Sequence, residues 1–182
     1  MVGTGKSCIL LPASAGSGKS SLTAALIHDG YQYFSDEVAL ISRGTYLVPA
    51  TPLAICSKST GWDLMLRYRP DLMSLPMHRR EDDKLVRYIP PPSHATNLRP
   101  GKVSHIIFPC YRAGAISTLE RIGLGDALER LMAECISAQE DFTLADAQHL
   151  LGWVGQIECY QLFFSSLDEA VALVRRVAPP GS

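Results

Sequence analysis

The residues best suited to chemistry lie in the segment Ala13-Ser14-Ala15-Gly16-Ser17-Gly18-Lys19-Ser20. An apolar run at 8–12 precedes it and a helix-forming run at 22–27 follows, which predicts a strand, a phosphate-binding loop and a helix. Two glycines let the backbone curl so that successive N–H groups face one anion. We expect the nucleotide-binding residues to be Ser14, Ala15, Gly16, Ser17, Gly18, Lys19, Ser20 and Ser21.

Two side chains of this loop have distinct expected roles. The ammonium group of Lys19 can reach the β and γ phosphates of a nucleoside triphosphate, and the Ser20 hydroxyl can occupy a Mg²⁺ position. The helix that begins near Lys19 adds the positive end of its dipole. Ala13 stands where the usual pattern opens with glycine. The predicted cofactors are ATP and Mg²⁺.

A pair of carboxylates, Asp36 and Glu37, follows the predicted strand at 31–34. A carboxylate near a triphosphate can hold Mg²⁺ or its waters, or accept a proton from an acceptor hydroxyl. Adjacent side chains of an extended strand point to opposite faces, so both carboxylates can act at one site only if the strand ends or bends there. The alternative is a solvated acidic turn. The short distance from the loop favours a compact phosphotransferase core.

Four further cations are candidates for contact with a γ phosphate or an acceptor. They are Lys58, His78, Lys84 and Arg112, in segments that we expect to surround the ends of the strands. The alternative for each is an ordinary solvated side chain. The remaining histidines have no spacing typical of a metal site.

Composition limits the possible partners. The chain of 182 residues is 47% hydrophobic and 19% charged, typical of one globular domain. Its 17 Lys and Arg are balanced by 18 Asp and Glu. The overall charge therefore gives no positive potential that would attract nucleic acid or an anionic membrane. Five cysteines without a CxxC pair predict reduced thiols. With neither a signal peptide nor a membrane span in evidence, we expect a cytoplasmic protein.

The hydrophobic pattern predicts an α/β fold in one domain, residues 1–182. The core sheet and nucleotide site are expected at about 7–114, and a mainly helical part at about 122–178. A hairpin is predicted from strands at 38–41 and 45–48, and a loop from 70 to 83. Other predicted strands lie at 53–56, 84–89, 103–108 and 157–164, and helices at 62–69, 124–139, 144–154 and 167–177.

Several of these segments together resemble a known family. The loop, the stretch Phe34-Ser35-Asp36-Glu37-Val38-Ala39-Leu40-Ile41 and the stretch Phe108-Pro109-Cys110-Tyr111-Arg112-Ala113-Gly114 look like the HPr kinase/phosphorylase catalytic domain, and more closely like the smaller HPr-kinase-related kinases. The segments around Lys58, Lys84 and Asp168 extend the resemblance over nearly the whole chain. It implies the P-loop fold shared with phosphoenolpyruvate carboxykinase, a mixed sheet with flanking helices and a helical C-terminal part.

The resemblance also implies roles for the site residues. Lys19 and Ser20 would hold phosphate and Mg²⁺, Asp36 would activate the acceptor hydroxyl, and Glu37 would assist the metal. The family's Glu-x-Arg-Gly-x-Gly segment is missing here, so neither HPr as acceptor nor the reverse phosphorylase reaction is carried over.

The implied activity is transfer of the γ phosphoryl group of ATP to a Ser or Thr hydroxyl of a peptide or small protein, with a homo-oligomer as a possible assembly. Two alternatives stay open. One is a kinase for a sugar or another small hydroxyl compound, and the other is a nucleotide-binding regulatory domain without transfer activity. A carboxykinase reaction is disfavoured by the short chain and the absence of a distinct Mn²⁺ ligand set.

Overall fold

The structure is a computed structural model that describes residues 1–5, 7–42, 44–134 and 143–181. Its strands are β1 (Val2–Gly3), β2 (Cys8–Leu10), β3 (Gln32–Tyr33), β4 (Leu47–Val48), β5 (Ile55–Lys58), β6 (Met77–Arg79), β7 (Leu85–Ile89), β8 (Gly101–Tyr111), β9 (Thr118–Arg121) and β10 (Glu158–Phe164). Its α-helices are α1 (Lys19–His28), α2 (Trp62–Met65), α3 (Leu124–Glu134), α4 (Leu144–Val154) and α5 (Leu167–Val177).

The strands of the central sheet lie in the order β3-β1-β2-β8-β10-β9, with β4 paired to the start of β8. Strands β2, β8 and β10 are parallel to one another, whereas β1, β4 and β9 run antiparallel to their neighbours. The sheet is therefore mixed, as the sequence predicts for an α/β fold. It extends beyond residues 7–114, because β1 precedes them and β9 and β10 follow them.

Helices cover both faces of this sheet. On one face, α1 and α5 pack over buried residues that include Ile9, Ile107 and Leu162. On the other, α3 and α4 pack over a cluster that includes Ile106 and Phe108. Burial on both faces explains why the middle of β8 is continuously apolar. Fully burying one such side chain contributes about 1.5–3 kcal/mol.

A second, smaller sheet has the antiparallel order β5-β7-β6. Ile55 of β5 and Ile89 of β7 are fully buried, and they pack in one cluster with Ala24 of α1 and Met65 of α2. This cluster fixes the second sheet beside the first helix of the chain, and therefore beside the loop that precedes that helix.

Several predicted elements agree with the structure. The helices predicted at 144–154 and 167–177 are confirmed as α4 and α5 with the same bounds. Helix α4 begins with a capping box in which the Thr143 hydroxyl accepts from the Asp146 N–H. The helix predicted from 124 is α3, which is described to Glu134, and the remainder of that prediction up to 139 lies outside the described residues.

Three local predictions are wrong. Residues 38–41 form no strand, and Val38 and Leu40 are exposed instead of paired in a hairpin. The helix predicted at 62–69 ends at Met65, and turns follow, in which the Tyr68 hydroxyl donates to Asp168 of α5. The predicted loop at 70–83 contains β6, an exposed strand that pairs with β7.

None of the helices within the described ranges is both long enough and apolar enough to cross a bilayer.

Candidate active site

The loop at 13–20 has the backbone conformation that its glycines permit. Gly16 and Gly18 have φ angles of 91° and 83°, in the left-handed region that other residues rarely adopt. A Cβ atom on Gly18 would lie 2.8 Å from Cζ of Phe164, so this position also requires the smallest residue for a close approach. Ala13 has no positive φ, which explains why alanine is accommodated where the usual pattern has glycine.

The loop lies at the carboxyl end of the parallel strands. It leaves the end of β2, and the Tyr111 N–H at the end of β8 donates to the Ser17 carbonyl at 2.9 Å. The adjacent Arg112 N–H donates to the carbonyl of Phe164, the last residue of β10, at 2.8 Å. The carboxyl edge of parallel strands is where α/β sheets bind ligands.

The start of α1 is suited to an anion. Its N-cap is Gly18, which supplies no side chain to cap the helix, and no acidic residue lies in the first turn. The Ser17 hydroxyl is buried without a hydrogen-bond partner in the described structure. Neither the N-cap residue nor the first turn therefore supplies a side chain that neutralises the first N–H groups of the helix.

Asp36 lies directly against this helix start. Strand β3 runs in the same direction as β2, because β1 is antiparallel to both, so the turn after β3 reaches the edge that carries the loop. The Ser20 hydroxyl donates to Oδ2 of Asp36 at 2.9 Å. The residue is only 4% exposed, and Oδ1 has no partner among the described residues.

The turn after β3 separates the two carboxylates. The Thr51 N–H donates to the Phe34 carbonyl at 2.8 Å, and the Ser35 hydroxyl donates to the Val38 carbonyl. This bend buries Asp36 and leaves Glu37 exposed. Burial raises the pKa of Asp36 above its usual value, against the opposing effects of the Ser20 hydrogen bond and the Lys19 charge.

A cavity of about 460 Å³ opens above the loop, and we name it the loop cavity. Its walls include residues 13–21 of the loop and helix, Glu37, and parts of β5 and α2. Among the described residues, three cations line it: Lys19, Lys58 and Arg80. Asp36 lies behind Ser20 and is not part of the wall.

Sequence reasoning missed Arg80. It follows the exposed strand β6, and its Nη1 lies 4.0 Å from Sγ of Cys56 on β5. Nothing in the local sequence indicates this position, because Arg80 reaches the cavity only through the pairing of β6 with β7.

A second cavity of about 820 Å³ adjoins the first, and we name it the hairpin cleft because β6 and β7 form part of its wall. Glu37, Cys56 and Arg80 line both cavities. The remaining wall residues of the hairpin cleft are Val38, Leu53, Ala54, His78, Arg79, Glu81, Asp82 and Tyr88.

The four cations proposed from the sequence have different positions. Lys58 lines the loop cavity and His78 lines the hairpin cleft. Lys84 lines neither, and its Nζ lies 2.7 Å from a carboxylate oxygen of Asp82. Arg112 lines neither as well, because its guanidinium lies over the Phe163 ring, 4.0 Å from the centroid.

The donor set fits a magnesium ion that is shared with a nucleotide. The described residues contain no group of three or more His, Cys, Asp and Glu side chains that could hold a metal by itself. Mg²⁺ in nucleotide sites takes one or two protein oxygens and completes its shell with phosphates and waters. Ser20 and Asp36 supply such oxygens, and the unpartnered Oδ1 atom leaves one of them free.

Comparison with models of protein families, with curated proteins and with solved structures finds no match to this chain.

Proposed function

We propose that this protein is an ATP- and Mg²⁺-dependent kinase that transfers the γ phosphoryl group to a Ser or Thr hydroxyl of a peptide or small protein. The observation that carries the proposal is the hydrogen bond from Ser20 to the buried carboxylate of Asp36, directly beside a glycine loop at a helix N-terminus. The resemblance to HPr-kinase-related kinases, with their phosphoenolpyruvate carboxykinase-like P-loop fold, supports the class of acceptor.

The loop is suited to hold the donor. The N–H groups of residues at the start of α1 and the Lys19 ammonium can neutralise the phosphates. A Mg²⁺ ion held by Ser20 and Asp36 would supply further neutralisation of the phosphate charge. Lys58 and Arg80 add two more positive charges to the wall of the loop cavity. Charge neutralisation and positioning are the main contributions that a protein makes to phosphoryl transfer.

We assign Asp36 as the base. Its carboxylate takes the proton of the acceptor hydroxyl, the hydroxyl oxygen forms a bond to the γ phosphorus, and the bond from that phosphorus to the β,γ-bridging oxygen breaks. ADP leaves with the bonding electron pair. The pKa of Asp36, raised by burial, brings this carboxylate closer to the pH at which a base is efficient.

Glu37 is the rival for this role on one specific observation. It lines both cavities, whereas Asp36 lies behind Ser20. If Glu37 is the base, Asp36 positions Ser20 and the metal instead. The variants Asp36→Asn and Glu37→Gln separate the two assignments, since only loss of the base removes the acidic limb of the pH profile of kcat/KM.

The test uses the whole chain with labelled ATP, Mg²⁺ and a panel of serine- and threonine-containing peptides. We expect phosphate to appear on a peptide by mass spectrometry. Asp36→Asn should reduce transfer by at least about 100-fold, in the usual range for loss of a general base, while ATP binding is retained. Lys19→Ala should weaken ATP binding itself.

Two outcomes would favour the alternatives. ATP binding without transfer to any acceptor would indicate a regulatory nucleotide-binding domain. A gain of mass by a sugar or another small hydroxyl compound, with none on the peptides, would indicate a small-molecule kinase. Full transfer activity in Asp36→Asn would remove Asp36 from the base role.

A further inference from the structure

The hairpin cleft is continuous with the loop cavity. Glu37, Cys56 and Arg80 belong to both walls, so a molecule in the hairpin cleft approaches the loop cavity beside a carboxylate and a guanidinium. In the register of the second sheet Cys56 lies opposite Tyr88, which continues the shared wall into the hairpin cleft. Because the cleft adjoins the proposed nucleotide site in the loop cavity, an acceptor bound in the cleft would lie next to the phosphate donor.

Among the charged residues of its wall, the hairpin cleft has three large apolar side chains that are exposed. Val38, Leu53 and Tyr88 line it, and they are 47%, 51% and 44% exposed. They come from three separate segments of the chain, so their proximity is a feature of the fold. Exposed apolar patches of this kind mark binding surfaces more often than scattered single residues do.

An edge strand borders the same cleft. Strand β6 pairs with β7 on one side, and no strand of the described residues pairs with its other side. Its residues are all exposed, and His78 and Arg79 line the cleft. An open strand edge can bind an extended peptide through main-chain hydrogen bonds, while neighbouring pockets select its side chains.

Both arginines that line the cleft are paired with carboxylates. Arg79 lies 3.3 Å from Asp83, and Arg80 lies 3.6 Å from Asp82, which also pairs with Lys84. The cleft therefore carries no strong field of one sign that would select a highly acidic or highly basic partner.

We propose that the hairpin cleft binds the acceptor as an extended peptide, in which an apolar side chain next to the phosphorylated Ser or Thr packs against Val38, Leu53 and Tyr88. That the bound peptide is the phosphate acceptor rests on the proposed function. Peptide binding is a separate property that can be measured without transfer.

The probes are fluorescent peptides with one central serine, flanked in three versions by leucine and valine, by aspartate, or by lysine. Binding to the whole chain with MgADP is followed by fluorescence anisotropy. We expect the apolar version to bind about tenfold more tightly than either charged version, the scale of one buried apolar contact. Leu53→Asp should weaken its binding about tenfold, and Tyr88→Ala should weaken it in the same direction.

Leu144→Asp is the matched control, because Leu144 is an apolar residue that is 76% exposed and lines neither cavity. It should bind the peptide as the unchanged protein does. Thermal unfolding verifies that each variant folds. Equal binding of the three peptides, or unchanged binding by both Leu53→Asp and Tyr88→Ala, would overturn the inference.

Phosphate transfer is measured on the same peptides with MgATP. Transfer that is insensitive to the flanking residues and to the Leu53 and Tyr88 variants contradicts the docking site and leaves the kinase proposal standing. Binding in the cleft without any transfer contradicts the kinase proposal and leaves a peptide-binding cleft. Phosphorylation of a small hydroxyl compound with no peptide bound would overturn the inference.

Discussion

The loop cavity and the hairpin cleft are neighbours with walls of different construction. One side of the loop cavity is a single continuous segment, residues 13–21, held between the ends of β2, β8 and β10. The hairpin cleft combines short pieces from three separate parts of the chain, represented by Val38, by Leu53, and by His78 and Tyr88 of the β6–β7 hairpin. The first is defined by local sequence and the second by long-range strand pairing.

The two cavities also differ in how deeply the residues that form or support them are buried. The loop rests on fully buried side chains, among them Leu22 of α1 and Phe164 of β10. The wall residues Val38 and Leu53 of the hairpin cleft are about half exposed. A preorganised loop suits electrostatic stabilisation of an anion, whereas exposed side chains can change conformation when a partner binds.

The largest expected effect tests how rigidly the loop is supported. Gly18→Ala should destabilise the protein by about 3 kcal/mol, because the new Cβ meets the Phe164 ring and because φ is positive. Gly16→Ala is the matched control, with positive φ but no atom within 4 Å of the Cβ, and should cost about 1 kcal/mol. Urea denaturation measures both. Equal losses would show that packing against β10 contributes nothing to the loop.

The same contrast explains what the sequence could predict. The loop was recognisable because its glycines and its flanking strand and helix are consecutive. Helices α4 and α5 were predicted with correct bounds because their apolar residues recur at helical spacing, and in α5 the residues at that spacing, Leu167, Ala170, Val171 and Val174, are buried. Asp36 was also accessible to sequence reasoning, because it directly follows a strand near the loop.

The hairpin cleft was not predictable in this way. Strand β6, Met77–Arg79, is exposed along its whole length, so it shows no alternation of buried and exposed residues. Apolar residues at 38–41 predicted a strand, but Val38 lines the hairpin cleft and Leu40 is exposed outside it. Arg80 and Lys84 look equivalent in the sequence, and only the turn after β6 decides which one reaches the cavities.

Alanine variants of Arg80 and Lys84 test the difference between their positions. Arg80→Ala should lower kcat for phosphate transfer about tenfold, equivalent to about 1.4 kcal/mol, because it removes a cation from the wall that both cavities share. Lys84→Ala should leave kcat unchanged, because Lys84 lines neither cavity, although both side chains pair with Asp82. Steady-state kinetics with a peptide acceptor measures both. A greater loss for Lys84→Ala than for Arg80→Ala would contradict the arrangement of the wall.

The smallest expected effect concerns the stability of the fold and the charge of Asp36. Burial raises its pKa above the ordinary 3.8, so the folded state binds this proton more tightly than the unfolded state does. The protonated residue stabilises the fold fully below pH 3.8, and this contribution is lost as the pH rises through the raised pKa. Ionised Asp36 therefore lowers the free energy of unfolding at neutral pH.

Asp36→Asn should accordingly raise the Tm at pH 7 by a few degrees, equivalent to about 1 kcal/mol, and the gain should shrink as the pH approaches 3.8. Asp71→Asn is the control of opposite sign, because a hydrogen bond from Arg69 lowers the pKa of Asp71. That variant should not raise the Tm. Calorimetry across this pH range measures both. A lower Tm for Asp36→Asn at pH 7 would mean that Ser20 and Lys19 outweigh burial, and that the carboxylate stabilises the loop it serves.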